Sequence, residues 1–300
     1  MSPTSLGLRR IIGLLLGLGA LLLLQACSAI KLAYNNAPQF GYFWLDGYVD
    51  FRDDQSIKTK DELDKLFAWH RAEELPKLAD LLKKTQRLRT GDLTAQQVCG
   101  VYSEVRERIN ATVQGAEPAG LWLASTMNAA QINHLAAKLR KNSDQWRKDW
   151  QAISAAARFE KRLKNNLERA EDFYGKLDEA QVNVLKNAMA TSHYDPALSD
   201  AERQRRQLDL LLTLRQISGN LPTGAAKPAP AEAQALFRAY VARVNRSPNA
   251  AYDAYAEKVN RESCAAMAQL HNTASPTQRD RALRRLAAYE LSLRELAAQR

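Results

Sequence analysis

Histidine, cysteine, glycine and proline are all scarce in this 300-residue chain, with 4, 3, 13 and 10 copies respectively. The histidines, His70, His134, His193 and His271, are scattered along the sequence. No Cys/His group has the spacing of a zinc site. A carboxylate-bridged di-iron bundle would need two Glu-x-x-His motifs and two further glutamates, and no such set exists. His70 with Glu73 or Glu74 has a helical spacing that a metal could use, but Trp69-His70 reads more simply as a helix-packing pair. There is no glycine-rich phosphate loop and no Gly-x-Ser-x-Gly. These absences leave no catalytic residue, metal site or cofactor to nominate, and the expectation is that the chain is not an enzyme.

What the sequence does hold begins at its N-terminus. Arg9 and Arg10 precede a nearly unbroken apolar run from Ile11 to Leu24. The run is shorter than the ~20 residues of a membrane-spanning helix and fits the apolar centre of a secretory signal. It ends in Leu24-Gln25-Ala26-Cys27, the form of a lipobox. In that reading residues 1–26 are a signal peptide, with Leu24, Gln25 and Ala26 recognised by the signal peptidase. The Cys27 sulfur then carries diacylglycerol, and cleavage frees its amine for a further acyl chain such as palmitate. Residues 27–37 would be the lipidated tether, and 38–300 one all-helical periplasmic domain. Ser28 rather than aspartate follows the cysteine, so the expected location is the periplasmic face of the outer membrane.

The chain has 43 Lys and Arg against 33 Asp and Glu, a formal charge of +10 that falls to +8 once Arg9 and Arg10 leave. That excess suits anionic lipid headgroups, an anionic envelope polymer or simply a solvated arginine-rich surface. Export argues against nucleic acid as a partner. Besides the membrane, another envelope protein is a possible partner type, and oligomeric state is not legible. With Cys27 lipidated, Cys99 and Cys264 remain in an oxidising compartment, where two leftover thiols pair.

After Cys27 the composition is that of helices, and no period-two strand pattern emerges. The expected fold is an all-α, elongated multi-helix bundle. Four segments share one grammar: Leu93-Thr94-Ala95-Gln96-Gln97-Val98, Met127-Asn128-Ala129-Ala130-Gln131-Ile132, Leu177-Asp178-Glu179-Ala180-Gln181-Val182 and, more weakly, Ala274-Ser275-Pro276-Thr277-Gln278. Thr94, Asn128, Asp178 or Ser275 accepts a free helix N–H, and the glutamine three residues on reaches back to the cap. Leu198-Ser199-Asp200-Ala201-Glu202 reads as a fifth start, with glutamate in place of glutamine. From Asn128 a three-four apolar seam runs towards Gly175, predicting one long coiled-coil-like helix, with a break at Asn142-Ser143 as the alternative. A helix from about Asp54 to Arg89 is interrupted by Pro76. Gly219 to Pro230 is the one linker-like stretch, a loop that a Cys99–Cys264 bridge would span.

Seven aromatics crowd between Tyr34 and Phe51. Phe40, Phe43, Trp44, Gly47 and Phe51 form one helical stripe, which either lies in a membrane interface or packs into the bundle. Asp46, Asp50, Asp53 and Asp54 favour packing, with the acids turned to solvent.

Tyr34-Asn35-Asn36-Ala37 and Trp44-Leu45-Asp46-Gly47-Tyr48-Val49-Asp50 resemble the opening signature of an uncharacterised proteobacterial lipoprotein family (domain of unknown function 6279). Phe67-Ala68-Trp69-His70-Arg71, Cys264, His271-Asn272-Thr273, Gln278-Arg279, Leu286 and Tyr289 extend the likeness. The resemblance implies an all-helical lipoprotein and brings no catalytic residues. Leu93-Thr94-Ala95-Gln96-Gln97 is also similar to the LTxxQ motif of small helical periplasmic stress chaperones, although the same residues make a capping box. The functional expectation is a non-catalytic envelope lipoprotein, a helical interaction or scaffold module tethered through Cys27. The alternative is a chaperone-like or envelope-stress-sensing module.

Overall fold

Helix starts carry the clearest local code in this chain, and the computed structural model, which describes residues 30–88, 91–221, 223–224 and 226–299, begins helices where that code predicts. Twelve α-helices follow a helical turn at 30–35: α1 (Ala37–Val49), α2 (Asp53–Trp69), α3 (Leu75–Arg87), α4 (Ala95–Gly115), α5 (Glu117–Thr126), α6 (Ala129–Trp150), α7 (Ala155–Tyr174), α8 (Glu179–Ala190), α9 (Pro196–Ser218), α10 (Pro230–Asn245), α11 (Ala250–Thr273) and α12 (Pro276–Ala298). Among the described residues there is no strand, so the fold is an all-α multi-helix bundle.

Thr94, Asn128, Asp178 and Ser275 each accept the backbone N–H of the glutamine three residues later, closing four capping boxes. The fifth predicted start is corrected. α9 begins four residues earlier, where Asp195 caps Ala197 and Leu198 and Pro196 occupies the first turn. Ser199 therefore lies inside the helix, its hydroxyl donating to the Asp195 carbonyl at 2.9 Å. A proline next to an aspartate outcompetes a serine three residues downstream because its φ is already helical.

The single long helix from Asn128 is also corrected. It divides into α6 and α7 at 151–154, where Ser154 caps α7 by accepting the Ala157 N–H. Ser143, the alternative break point, is buried within α6, and its hydroxyl donates to Gln207 on α9 at 3.0 Å. The apolar seam survives because both helices bury it, but in different cores. Ile132 and Leu135 of α6 join Val49, Ala124, Leu211, Leu214 and Ile217 in one cluster. Leu163, Ala170 and Tyr174 of α7 join Leu185, Met189, Leu270 and Ala282 in the other.

Pro76 does not end its helix. A five-residue π-turn, His70–Glu74, precedes it and joins α2 to α3, with the Leu75 N–H reaching the His70 carbonyl. The wider turn makes room for a ring that would clash with a carbonyl one α-turn back. Near the linker, the Lys227 Nζ donates to the Ser125 carbonyl and Asn220 to the Met127 carbonyl, pinning the chain between α9 and α10 onto the end of α5.

Two pairs of helix starts are locked by glutamines. The Gln181 Nε2 donates to the Gln278 Oε1 at 2.7 Å, and the Gln278 Nε2 returns the bond to the Gln181 Oε1 at 3.0 Å. Each amide also caps its own helix and reaches a carbonyl beyond it, Gln181 to Thr273 and Gln278 to Lys176. Gln131 and Gln55 make the equivalent pair at the other core, with the Gln131 Nε2 donating to the Gln55 Oε1 at 2.6 Å and to the Asp50 carbonyl at 3.0 Å. Asp50 is the one non-glycine residue with positive φ among those described. That left-handed backbone turns its carbonyl towards Gln131 and ends α1.

Candidate functional site

The N-terminal aromatic segment is the first unusual surface. α1 packs through Tyr42 and Val49, which are buried. The Tyr42 hydroxyl donates to Ser56 on α2, and its ring stacks on Phe51. Tyr48 accepts from Asn142 of α6 at 2.6 Å. That choice of face leaves the predicted stripe outside: Phe40, Phe43 and Trp44 are 64%, 59% and 62% exposed, and Leu32, eight residues before Phe40, is 67% exposed. The expectation that the stripe packs inward is thus corrected, apart from Phe51. The face that carries Tyr42, Tyr48 and Val49 is the one turned to α2 and α6, where both hydroxyls find partners. The acids do not decide the matter, because the Asp46 Oδ1 is occupied accepting the Phe51 N–H. From Leu32 to Leu45 there is no charged residue. Residues 40, 43 and 44 share one helix face.

The second feature is an apolar slot between α3, α4 and α12. A cavity of about 370 Å³ is lined by Ile30, Leu78, Leu82, Val105, Leu293 and neighbours. A second, of about 300 Å³, lies deeper against Phe173, Tyr174, Met267 and His271. Thr85, Val101 and Leu286 line both, so the two adjoin. The start of the described chain is fastened beside this slot. Lys31 pairs with Glu295 at 2.7 Å, and Asn35 donates to Gln299 at the end of α12 while accepting from Arg71.

At the inner end, the Tyr174 hydroxyl and the His271 Nδ1 are 2.9 Å apart. Among the described residues the hydroxyl has no other partner, so donation to Nδ1 leaves the fewest orphans and places the imidazole proton on Nε2. That Nε2 is itself buried without a partner. Burial, reinforced by Arg279, holds the His271 pKa below its ordinary value, and burial raises that of Tyr174. Both groups are neutral at pH 7, and their bond ties α7 to α11. The next residues are structural too: Asn272 accepts the Leu93 N–H at 2.7 Å and donates to its carbonyl at 3.0 Å. Arg279 donates to Asp92 and to the Ala274 and Asn272 carbonyls.

Cys99 and Cys264 are brought together as a disulfide with a Cα–Cα distance of 5.5 Å, joining α4 to α11. Leu24, Gln25, Ala26 and Cys27 lie outside the described residues. The histidines remain apart. The His70 Nδ1 sits 2.9 Å from the Tyr34 hydroxyl, His134 meets the Gly47 carbonyl, and His193 lies between Glu262 and Lys258. Glu74, the possible metal partner of His70, is buried between Lys77 and Arg108. Among the described residues no group of three His, Cys, Asp or Glu side chains is placed to hold a metal. The slot and the glutamine pairs were missed at the sequence level. The slot's residues look like ordinary core, and the only hint of the pairs was the recurrence of glutamine at the third helical position.

The model of a family of unknown function (DUF6279) matches residues 47–223, from α1 into the loop before α10. The chain belongs to that family. Tyr34 to Asp46 and the motif residues from Cys264 to Tyr289 lie beyond the matched stretch, which spans more than half of the chain. No curated protein and no solved structure matches the chain significantly. No described helix is long and apolar enough to cross a membrane.

Proposed function

We propose that the protein is a non-catalytic bacterial envelope lipoprotein, a helical interaction module tethered through acylated Cys27 to the periplasmic face of the outer membrane. The observation that carries this reading is the exposed face of Leu32, Phe40, Phe43 and Trp44. Three residues separate Cys27 from Ile30, a reach of about 10 Å. The ten residues from Ile30 to Phe40 add about 15 Å at a helical rise. The rings are therefore held within about 25 Å of the anchor, on a stretch of chain, Leu32 to Leu45, that carries no charged side chain. Tryptophan and other amphipathic aromatics favour the membrane–water interface, and apolar helix faces settle at the headgroup boundary. The face thus serves as a second contact that fixes how the tethered module stands on the bilayer.

Leu93 to Gln97 carries no separate argument for a chaperone, because the Thr94 and Gln97 bonds account for the motif as a helix start.

Two measurements test the proposal. Cells fed radioactive palmitate should label the wild-type protein and not Cys27→Ala, and equal labelling of both would remove the anchor. The purified lipidated protein in vesicles of phosphatidylethanolamine and phosphatidylglycerol with brominated chains should lose tryptophan fluorescence. Trp44→Phe should abolish most of that quenching. Quenching unchanged by the substitution would place the aromatic face away from the bilayer.

A further inference from the structure

We propose that the slot between α3, α4 and α12 holds one of the acyl chains carried by Cys27, an occupant that rests on the reading of Cys27 as acylated. The slot is long rather than round. On α12 its wall runs from Arg279 to Leu293, and fourteen residues at a helical rise span about 21 Å. Its outer half is lined by Ile30, Leu78, Leu81, Leu82, Val105, Leu293 and the ring of Tyr289, with Thr85 between the halves, while the inner half adds the polar groups of Gln86, Tyr174, His271 and Arg279. A buried water needs two to four polar partners, which the outer half does not supply, so the natural content of that half is apolar. The two cavities, about 300 and 370 Å³, match the size of pockets that enclose small ligands.

Position selects the occupant. Ile30 forms part of the slot's wall, and the ion pair of Lys31 with Glu295 and the bond from Asn35 to Gln299 hold this turn against α12. Cys27 precedes Ile30 by three residue steps, a covalent reach of at most about 10 Å. An acyl chain on its sulfur or amine therefore starts beside the slot, at an effective concentration that no free lipid needs to match. With several chains on one cysteine, one can occupy the protein while the others remain in the bilayer. Away from the membrane, the same slot would shield a chain from water.

Cells grown on a diazirine-bearing fatty acid would place a photoreactive chain on Cys27. Irradiation should join the Cys27 peptide covalently to peptides containing Leu82, Val101 or Leu286. Val101→Trp and Leu82→Trp each fill the slot and should abolish that adduct, while mass spectrometry still shows acylated Cys27 and circular dichroism an intact helical fold. The two variants guard against one of them failing to fold. Adducts between the Cys27 chain and membrane lipid alone would overturn the proposal. So would slot peptides joined to a separate phospholipid rather than to the Cys27 peptide. An unacylated Cys27 would overturn the occupant through the failure of the lipoprotein reading, and the mass of the N-terminal peptide distinguishes that result.

Discussion

Gln181→Ala should destabilise the protein several times more than Gln97→Ala, although the two glutamines occupy the same place in the same motif. Gln97 is exposed and its amide oxygen accepts from the N–H and the hydroxyl of Thr94, both of which water can serve instead. Its loss should cost about 0.5–1 kcal/mol. Gln181 is 1% exposed and makes four bonds: it accepts from the Asp178 N–H and from Gln278, and donates to Gln278 and to the Thr273 carbonyl. Alanine there removes all four bonds at once and leaves the Thr273 carbonyl and half of the half-buried Gln278 amide without this partner. With each made bond contributing ~0.5–1.5 kcal/mol and each buried orphan costing ~1–3 kcal/mol, the expected loss is about 3–4 kcal/mol. Urea denaturation of the two single variants gives the comparison, and a double-mutant cycle with Gln278→Ala isolates the pair. A coupling of about 2 kcal/mol is expected between positions 181 and 278. Additive losses, or equal costs at 97 and 181, would refute the view that these amides join helix starts as well as cap them.

Three further outcomes follow from the same structure. Replacing both Cys99 and Cys264 with serine opens a closure of 165 residues. The chain-entropy relation puts the loss at about 5 kcal/mol, an upper figure, and a change under about 1 kcal/mol in denaturant melts would contradict it. Burial lowers the pKa of His271 and of His70, so the unfolded chain takes up their protons first as pH falls below about 6.5. The stability they contribute is complete above that pH and is lost towards the lower native pKa values, so the melting temperature should fall between pH 7 and 5. His271→Phe should flatten that fall, and an unchanged slope would assign it elsewhere. A Cβ at Gly115 would stand 2.5 Å from the Trp69 ring. Gly115→Ala should therefore cost about 1–3 kcal/mol through overpacking. Adding Trp69→Leu should recover part of it in a thermal melt, and no recovery would point away from the clash.

Local chemistry determined much of this protein before any fold was known. Helical composition, the four cap-and-glutamine starts and a compartment-based pairing of two cysteines are properties of short segments or of counting, and they lead to the helices and to the Cys99–Cys264 bridge. Other features needed the packed chain. Asp195-Pro196 displaced Ser199 as a helix start because two local signals competed and the more rigid one prevailed. The seam after Asn128 could not reveal its break, since an apolar period looks the same whether one core or two lie against it. The aromatic stripe of α1 was visible as a stripe, but its side was settled by Tyr42 and Tyr48 finding partners on α2 and α6, contacts from outside the segment. The slot is the furthest from the sequence. Leu82, Val101 and Leu286 are ordinary core residues in a linear reading, and only the spacing of three helices distant along the chain leaves the space between them unfilled.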